Sequence, residues 1–327
     1  MPNPRQVFHG TTSLITRRCT QRQFLLIPTP IANNILRFCM IRAAMINNIS
    51  IHAYFFASNH YHLVLTDPDK NLAKFEASLN MFSAKCLNSE YGRWENLWAT
   101  GSYSAVRLRE EAEEAELEDM GFNVDDEEVT ASEDILDKIV YTLTNPVEAG
   151  LVDRGYKWPG EWSPPSLMSS GYIKAKRPDF FVTDGPIPEK VQMELSLPPG
   201  FSNMKPKEFS NLIAELVKKK EEEIKKKFKN NNRKFMGVKK VLSQSHLTKP
   251  SNPEPRRNLN PRIACKDKWK RIEILQRLKE FLKDYRIAWK RFCAGERDVV
   301  FPAGTYKMRE FYGVKCKSRT TVTPVPT

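Results

Sequence analysis

The chain has 327 residues, 40% of them hydrophobic, and a formal net charge of +13 at pH 7. This hydrophobic content supports a packed core and excludes a wholly disordered chain, and no run approaches the roughly 18 apolar residues that a membrane-spanning helix requires. A chain this basic usually meets a polyanion, so we expect nucleic acid rather than a membrane as its partner.

The first 163 residues are predicted to form strands and helices in the order β-α-β-β-α-β-α. Residues 5–27 are typical of a strand followed by a basic loop, TRRCTQRQ, and a short return. Helical or alternating apolar spacing predicts six further elements: helices over 28–48, 72–92 and 134–152, and strands over 50–58, 60–66 and 99–108. Short connections imply antiparallel pairing. The predicted class is therefore α+β, an antiparallel sheet with helices on one face, of a split-βαβ kind.

The composition changes twice along the chain. An acidic segment at about residues 110–131 is predicted to be a solvated insertion, and the hypothesis that it mimics nucleic acid and shields a basic groove stays open. Residues 164–327 are predicted to form a basic, largely helical extension with linkers, including helices over 207–235 and 267–295. We therefore expect two domains, 1–163 and 164–327.

The cysteines and the N-terminus indicate the compartment. Six cysteines stand far apart with no CxxC pair, which predicts reduced, mostly buried thiols in a cytosolic protein. The opening MPNPRQVFHGTT has no apolar core of a secretory signal. Both features favour a cytoplasmic protein.

Two histidines in the stretch SNHYHLVLT stand one residue apart. On a strand His60 and His62 point to the same side, which suits a bidentate grip on a divalent ion. A histidine-triad hydrolase requires a third histidine at the position where this chain has Val64. A two-histidine phosphoesterase requires a second H-x-T/S motif, which His9 and His52 do not supply. An HUH endonuclease instead demands a further polar ligand and a tyrosine nucleophile on a helix.

The segment IVYTLTNPVEAGLV meets that demand. Tyr141 and Asn145 are four residues apart on a predicted helix, so they share one face. The amide oxygen of Asn145 can bind a hard cation, and Tyr141 can then lie over the same ion. Each has an ordinary structural explanation, as packing or as a helix end before Pro146. Their joint occurrence after the histidine pair favours the HUH hypothesis.

At these residues the sequence resembles the single-tyrosine HUH transposases, and among them the REP-associated tyrosine transposases and insertion-sequence-200-like proteins. The segments HAYFFASNHYHLVLT and YTLTNPVEAGLV are similar to the two motif blocks of that family, and the resemblance covers roughly residues 5–163. The chain departs from the pattern in its acidic insertion. It also has Ser102 before Tyr103, where the family commonly has an arginine that contacts phosphate.

The resemblance implies a fold, a chemistry and a partner. His60, His62 and Asn145 would bind Mg²⁺ or Mn²⁺, and Tyr141 would attack single-stranded DNA to give a 5′-phosphotyrosine intermediate. The protein would be a DNA endonuclease and strand transferase acting in DNA transposition and recombination. Its substrate would be hairpin-forming DNA, and it would act as a monomer or homodimer in the bacterial cytoplasm, associated with the nucleoid.

Two basic segments are candidates for DNA contact. They are the loop residues Arg17, Arg18 and Arg22 and the helix residues Lys268, Lys270 and Arg271. We expect Trp269 and Trp289 of the second segment to pack in a core rather than to stack on bases.

Three alternative functions stay open from the sequence. The first is a domesticated regulator that keeps the HUH fold and binds nucleic acid without cutting it. The second is an initiator-type or conjugative nickase, although the chain has no GxxxxGK[ST] phosphate loop. The third is a metal-dependent phosphodiesterase that releases its product to water and forms no adduct with tyrosine.

Overall fold

A computed structural model describes residues 4–108, 131–182, 185–251 and 263–318. The predicted acidic insertion lies outside the described residues as far as residue 130. In the described part of the first half of the chain there are seven elements: β1 (Thr11–Arg18), α1 (Pro30–Asn47), β2 (Ser50–Phe56), β3 (His60–Asp67), α2 (Leu72–Glu90), β4 (Ser104–Leu108) and α3 (Ala131–Glu148). Their order confirms the predicted β-α-β-β-α-β-α pattern.

The second half is mostly helical, as predicted, with short strands between the helices. Its elements are β5 (Ile173–Lys176), β6 (Lys190–Met193), α4 (Pro206–Asn230), α5 (Val238–Leu242), β7 (Ile263–Ala264), α6 (Lys268–Cys293) and α7 (Lys307–Tyr312). The β5–β6 hairpin was not predicted, because its strands are only four residues long and carry a weak alternating signal.

Five strands form the main sheet in the order β2-β3-β1-β4-β7. The first four pair antiparallel, and the register places Thr16 of β1 opposite His62 of β3. Strand β7 pairs parallel with β4 at the edge. From the sequence, only linkers and helices were predicted for residues 164–327, so this edge strand of the sheet was not expected.

Local signals explain where the two sheet-covering helices begin. Thr29 caps α1 by accepting a hydrogen bond on Oγ1 from the backbone nitrogen of Ala32 at 3.1 Å, and Pro30 follows as the first helical residue. The Asp67 carboxylate accepts hydrogen bonds from the backbone nitrogens of Asn71 and Leu72, each at 2.8 Å. This cap joins the end of β3 to the start of α2.

The helices cover both faces of the sheet. Helix α2 lies on the face that carries Tyr61, whose hydroxyl donates to Asn80 Oδ1 at 3.1 Å, and α1 packs beside α2. Helix α3 lies over the opposite face, where Tyr141 contacts His62. The predicted α+β class and antiparallel sheet are confirmed. The structure adds that the tyrosine-bearing helix covers the second face.

The apolar core continues across residue 163. Phe209 and Ile213 of α4 are buried in the same cluster as Ile15 of β1, and Ser196 donates its backbone N–H to the Ile51 carbonyl at 3.0 Å. Glu221 of α4 accepts a hydrogen bond from the backbone of Gly155 at 2.7 Å. The division into domains 1–163 and 164–327 therefore stays a prediction from composition, while the two parts share one core.

The cysteines are all in the free form. Four of the six are buried, Cys316 is half-buried and Cys293 is exposed. This agrees with the expectation of reduced, mostly buried thiols. In the part of the chain that the structure describes, no helix combines the length and apolar character that crossing a membrane requires.

Candidate active site

The two histidines of β3 lie side by side on the face covered by α3. Their ring centroids are 4.9 Å apart. Asn59 Oδ1 lies 2.8 Å from His60 Nδ1, and Thr16 Oγ1 lies 2.8 Å from His62 Nδ1. Because both rings are held through Nδ1, their orientation is set, and Nε2 is the nitrogen suited to ligate a metal.

The environment keeps His62 neutral. Burial lowers the pKa of His62 well below its usual range, and the neighbouring His60 lowers it further. A neutral imidazole has a lone pair to offer, whereas a protonated imidazole has none. His62 therefore has the protonation state that a metal ligand needs.

Tyr141 lies against this histidine pair. Its ring centroid is 5.3 Å from that of His62, with the two planes at 78°, and the side chain is 41% exposed. Burial of the phenol raises the pKa of Tyr141, Glu148 raises it further, and the Asn145 side chain lowers it in part. Tyr141 is thus accessible, but its ionisation needs additional positive charge.

Asn145 lies one helical turn beyond Tyr141 and is buried. Its Oδ1 atom has no hydrogen-bond partner, although unpaired buried oxygens are uncommon in folded proteins. Among the residues that the structure describes, no third His, Cys, Asp or Glu joins the histidine pair in a cluster. The donors of a type that binds divalent ions are therefore the two imidazoles, which line the cavity described next, and the unpaired amide oxygen of Asn145.

A cavity of about 680 Å³ opens in front of these residues. His60, His62 and Tyr141 line it, whereas buried Asn145 does not belong to its lining. The described residues in its wall include no aspartate or glutamate, whereas five cationic side chains line it: Arg18, Arg22, Lys138, Lys266 and Arg271. This excess of positive charge favours an anionic ligand.

The basic segment at the end of β1 is divided between two environments. Arg18 and Arg22 line the cavity. Arg17 points to the opposite face of the sheet, where its charge acts on buried Tyr61 and Glu76. From the sequence, Arg17 and Arg18 were predicted to lie on a loop. The strand instead continues through Arg18, so neighbouring side chains point to opposite faces.

The second basic segment lies at the start of α6. Arg271 lines the cavity, whereas Lys268 and Lys270 do not. Trp269 is 74% exposed, with the Lys268 ammonium 5.3 Å from its ring centroid. The expectation that Trp269 packs in a core was wrong, because the apolar side of α6 here is the one that carries Ile274. Trp289 does pack against a hydrophobic cluster. DNA contact by either segment stays a prediction.

Several residues of the site were missed in the sequence. Thr16 and Lys266 reach the cavity only through strand register and the β7 pairing, so no local pattern could have marked them. Asn59 and Lys138 could have been found from their positions in the sequence, because Asn59 adjoins His60 and Lys138 lies three residues before Tyr141. Ser102 also lines the cavity, and its Oγ accepts from the backbone nitrogen of Arg18 at 3.2 Å.

Two solved structures resemble this chain at low similarity. A REP-associated tyrosine transposase bound to a REP hairpin is 19% identical with a TM-score of 0.35, over 48% of this chain and 78% of that chain. A candidate transposase from Deinococcus radiodurans R1 is 16% identical with a TM-score of 0.26, over 36% of this chain and 93% of that chain. No protein-family model and no curated protein matches the sequence. Functional conclusions therefore rest on the site itself.

Proposed function

We propose that the protein cleaves and rejoins single-stranded DNA through a covalent link to Tyr141, as a single-tyrosine transposase of the HUH type. The observation that carries this proposal is the contact of Tyr141 with His62, which in turn lies against His60, within a cavity lined by cations. A nucleophile, a pair of metal-binding imidazoles and positive charge for phosphate are the parts that phosphoryl transfer to tyrosine requires.

A divalent ion, Mg²⁺ or Mn²⁺, would be held by His60, His62 and Asn145. The neutral state of His62 and the unpaired Oδ1 of Asn145 support this ligand set. When bound, the ion would polarise the scissile phosphate and favour the phenolate. Asn59 and Thr16 would orient the two imidazoles through their contacts with Nδ1.

The reaction would exchange one phosphodiester for another. The phenolate oxygen of Tyr141 forms a bond to phosphorus, and the bond from phosphorus to the 3′ oxygen breaks. The phenol proton leaves to water, the departing 3′ oxygen takes a proton from water, and the phosphate joins Tyr141 to the 5′ end. Since the phosphoester is conserved, the 3′-OH of another strand can reverse the step and join strands without ATP.

The raised pKa of Tyr141 implies a pH dependence. Burial and Glu148 favour the neutral phenol, so the phenolate is a minor species at pH 7. Below the pKa of the phenol its ionised fraction grows about tenfold per pH unit. We expect the cleavage rate to rise between pH 7 and pH 9.

The decisive test is a protein–DNA adduct that survives a denaturing gel. The full chain is incubated with labelled single-stranded hairpin DNA and Mn²⁺ or Mg²⁺, beside Tyr141→Phe and the control Tyr156→Phe. Tyr156 is 71% exposed and does not line the cavity, so it controls for loss of an exposed phenol. We expect an adduct with the parent and with Tyr156→Phe, and none with Tyr141→Phe.

Two other outcomes would replace the proposal. Strand cleavage with no adduct, unchanged in Tyr141→Phe, would identify a phosphodiesterase that transfers phosphate to water. Tight binding without cleavage, with several hairpins and both metals, would identify a regulator that binds DNA without cutting it.

A further inference from the structure

A segment from the C-terminal part of the chain forms one wall of the candidate active site. Within residues 263–271, five side chains line the cavity: Ile263, Ala264, Cys265, Lys266 and Arg271. The segment begins as strand β7, which pairs with Arg107 and Leu108 of β4. The sheet that carries the histidines is thus extended by a strand that lies more than 150 residues further along the chain than β4.

The wall is also fastened to the helix that carries Tyr141. The backbone nitrogen of Lys266 donates to Oδ1 of buried Asp134 at 2.9 Å, and Lys266 Nζ lies 3.4 Å from Asp137 Oδ1. Asp137 stands one turn before Tyr141 on α3. Because residues 109–130 separate β4 from α3 along the chain, this segment provides a second connection between them. The wall is therefore a fixed part of the site.

The cations of this side of the cavity differ in their partners. Lys138 and Lys266 both contact the carboxylate of Asp137, at 2.7 and 3.4 Å, so part of their charge is compensated. Arg271 donates from Nη1 to the uncharged carbonyl oxygen of Cys265 at 3.3 Å. This contact orients the guanidinium without neutralising it. Arg271 is exposed at the cavity surface.

We infer that Arg271 binds a backbone phosphate of the DNA strand beside the phosphate that Tyr141 attacks. A guanidinium presents several N–H donors in one plane, which match two phosphate oxygens, and its charge persists at any working pH. A cavity of about 680 Å³ is in the size range of sites for ligands larger than a single phosphate. The inference rests on the proposed function, because it names a subsite for the same substrate.

The test compares two arginines of one helix. Arg271→Gln and Arg286→Gln each remove one positive charge from α6, but exposed Arg286 lies about four turns further along and does not line the cavity. Both are made in full-length Tyr141→Phe protein with Mg²⁺, so that binding of a fluorescent single-stranded hairpin is measured without cleavage. Affinity is recorded at several KCl concentrations.

We expect Arg271→Gln to weaken binding about tenfold and to reduce the slope of log affinity against log salt by about 0.7, the value for one phosphate contact on single-stranded DNA. Arg286→Gln should stay within about twofold of its parent. A second measurement replaces single phosphates by uncharged methylphosphonates. At one position near the scissile phosphate, this replacement should weaken binding to the Tyr141→Phe protein. The same replacement should cause no further loss of affinity when Arg271→Gln is also present.

The inference would be overturned if both glutamine variants lost the same affinity for DNA. It would also be overturned if, at every position, a methylphosphonate weakened binding to Arg271→Gln as much as it weakens binding to the protein that keeps Arg271. If Tyr141-dependent adducts still form in those cases, the proposed function stands and only the phosphate subsite is wrong. If the Tyr141→Phe protein binds no single-stranded hairpin, and the parent forms no adduct, both are overturned together.

Discussion

Two tyrosines lie on opposite faces of the sheet at strand β3, and they show that the two faces differ in burial. Tyr61 is fully buried, donates to Asn80 and packs on Trp98 with ring centroids 5.4 Å apart, and burial raises its pKa above the usual range. Tyr141 is 41% exposed beside His62. A phenol sealed under helices can serve only packing, whereas a nucleophile must meet its substrate. The cavity face is therefore the one that can carry chemistry.

The charges of the two faces differ in the same way. On the helix-packed face Glu76 contacts Arg5 at 3.1 Å, and the charge of Arg17 also acts on Glu76. Both arginines therefore have a carboxyl group of the protein near them. On the cavity face no carboxylate belongs to the described lining, and the carboxylate of Asp137 beside it is shared by Lys138 and Lys266. Neighbouring Arg17 and Arg18 contribute to opposite faces. Four measurements test whether the two faces differ in this way.

The largest effect is expected from the helix-packed face. Leu63 of β3 is fully buried there, and Leu63→Ala should cost about 3 to 4 kcal/mol of unfolding free energy, since a cavity is left behind. Leu247→Ala, at a side chain that is 60% exposed, should stay within about 0.5 kcal/mol. Chemical denaturation checks both. Similar values for the two variants would contradict tight packing on this face.

A pH effect on stability is expected from Glu76. Burial raises the pKa of Glu76 from 4.5 to about 7, so the folded state binds a proton more tightly than the unfolded state. The contribution of the neutral Glu76 carboxyl to stability is therefore fully present below pH 4.5 and is lost as pH rises through about 7, a loss of about 3 kcal/mol.

Denaturation across this pH range, in the parent and in Glu76→Gln, measures the contribution of Glu76. The glutamine variant should show a flatter profile, because its side chain does not titrate. Identical profiles would show that Glu76 is ionised in the fold at little cost.

On the cavity face, Thr16→Val should weaken Mn²⁺ binding about tenfold, because the valine cannot hold Nδ1 of His62. Thr12→Val is the matched control. Thr12 lies on the same strand and face as Thr16, but its hydroxyl is hydrogen-bonded to that of Thr66 at 2.8 Å and not to His60 or His62. Calorimetric titration with Mn²⁺ compares the two variants. Equal losses would remove the positioning role of Thr16.

The smallest effect is expected from Tyr61→Phe. Loss of the hydrogen bond to Asn80 should cost about 1 kcal/mol of stability while DNA adduct formation continues. Tyr141→Phe should show the reverse, with little change in stability and no adduct. Thermal melts and the adduct gel make the comparison. Loss of adduct in Tyr61→Phe at unchanged stability would mean that the two faces are not functionally separate.

The local patterns of the chain predicted most of the fold around the site. Alternation in SNHYHLVLT placed His60 and His62 on one side of a strand, and helical spacing placed Tyr141 and Asn145 on one face. These predictions succeed because backbone geometry alone sets which neighbouring side chains share a face. The resemblance implied that Tyr141 would lie near the histidine pair, and the contact of Tyr141 with His62 on one face of the sheet agrees with it.

The local sequence was sufficient to predict the order of strands and helices in the first 163 residues, the histidine pair and the tyrosine helix. Long-range packing instead turns Arg17 away from the cavity, leaves Trp269 exposed and makes residues 263–271 a wall of the site. The reason is physical. Local periodicity follows from the backbone, whereas a two-residue strand such as β7 is specified by burial and pairing with residues more than 150 positions away.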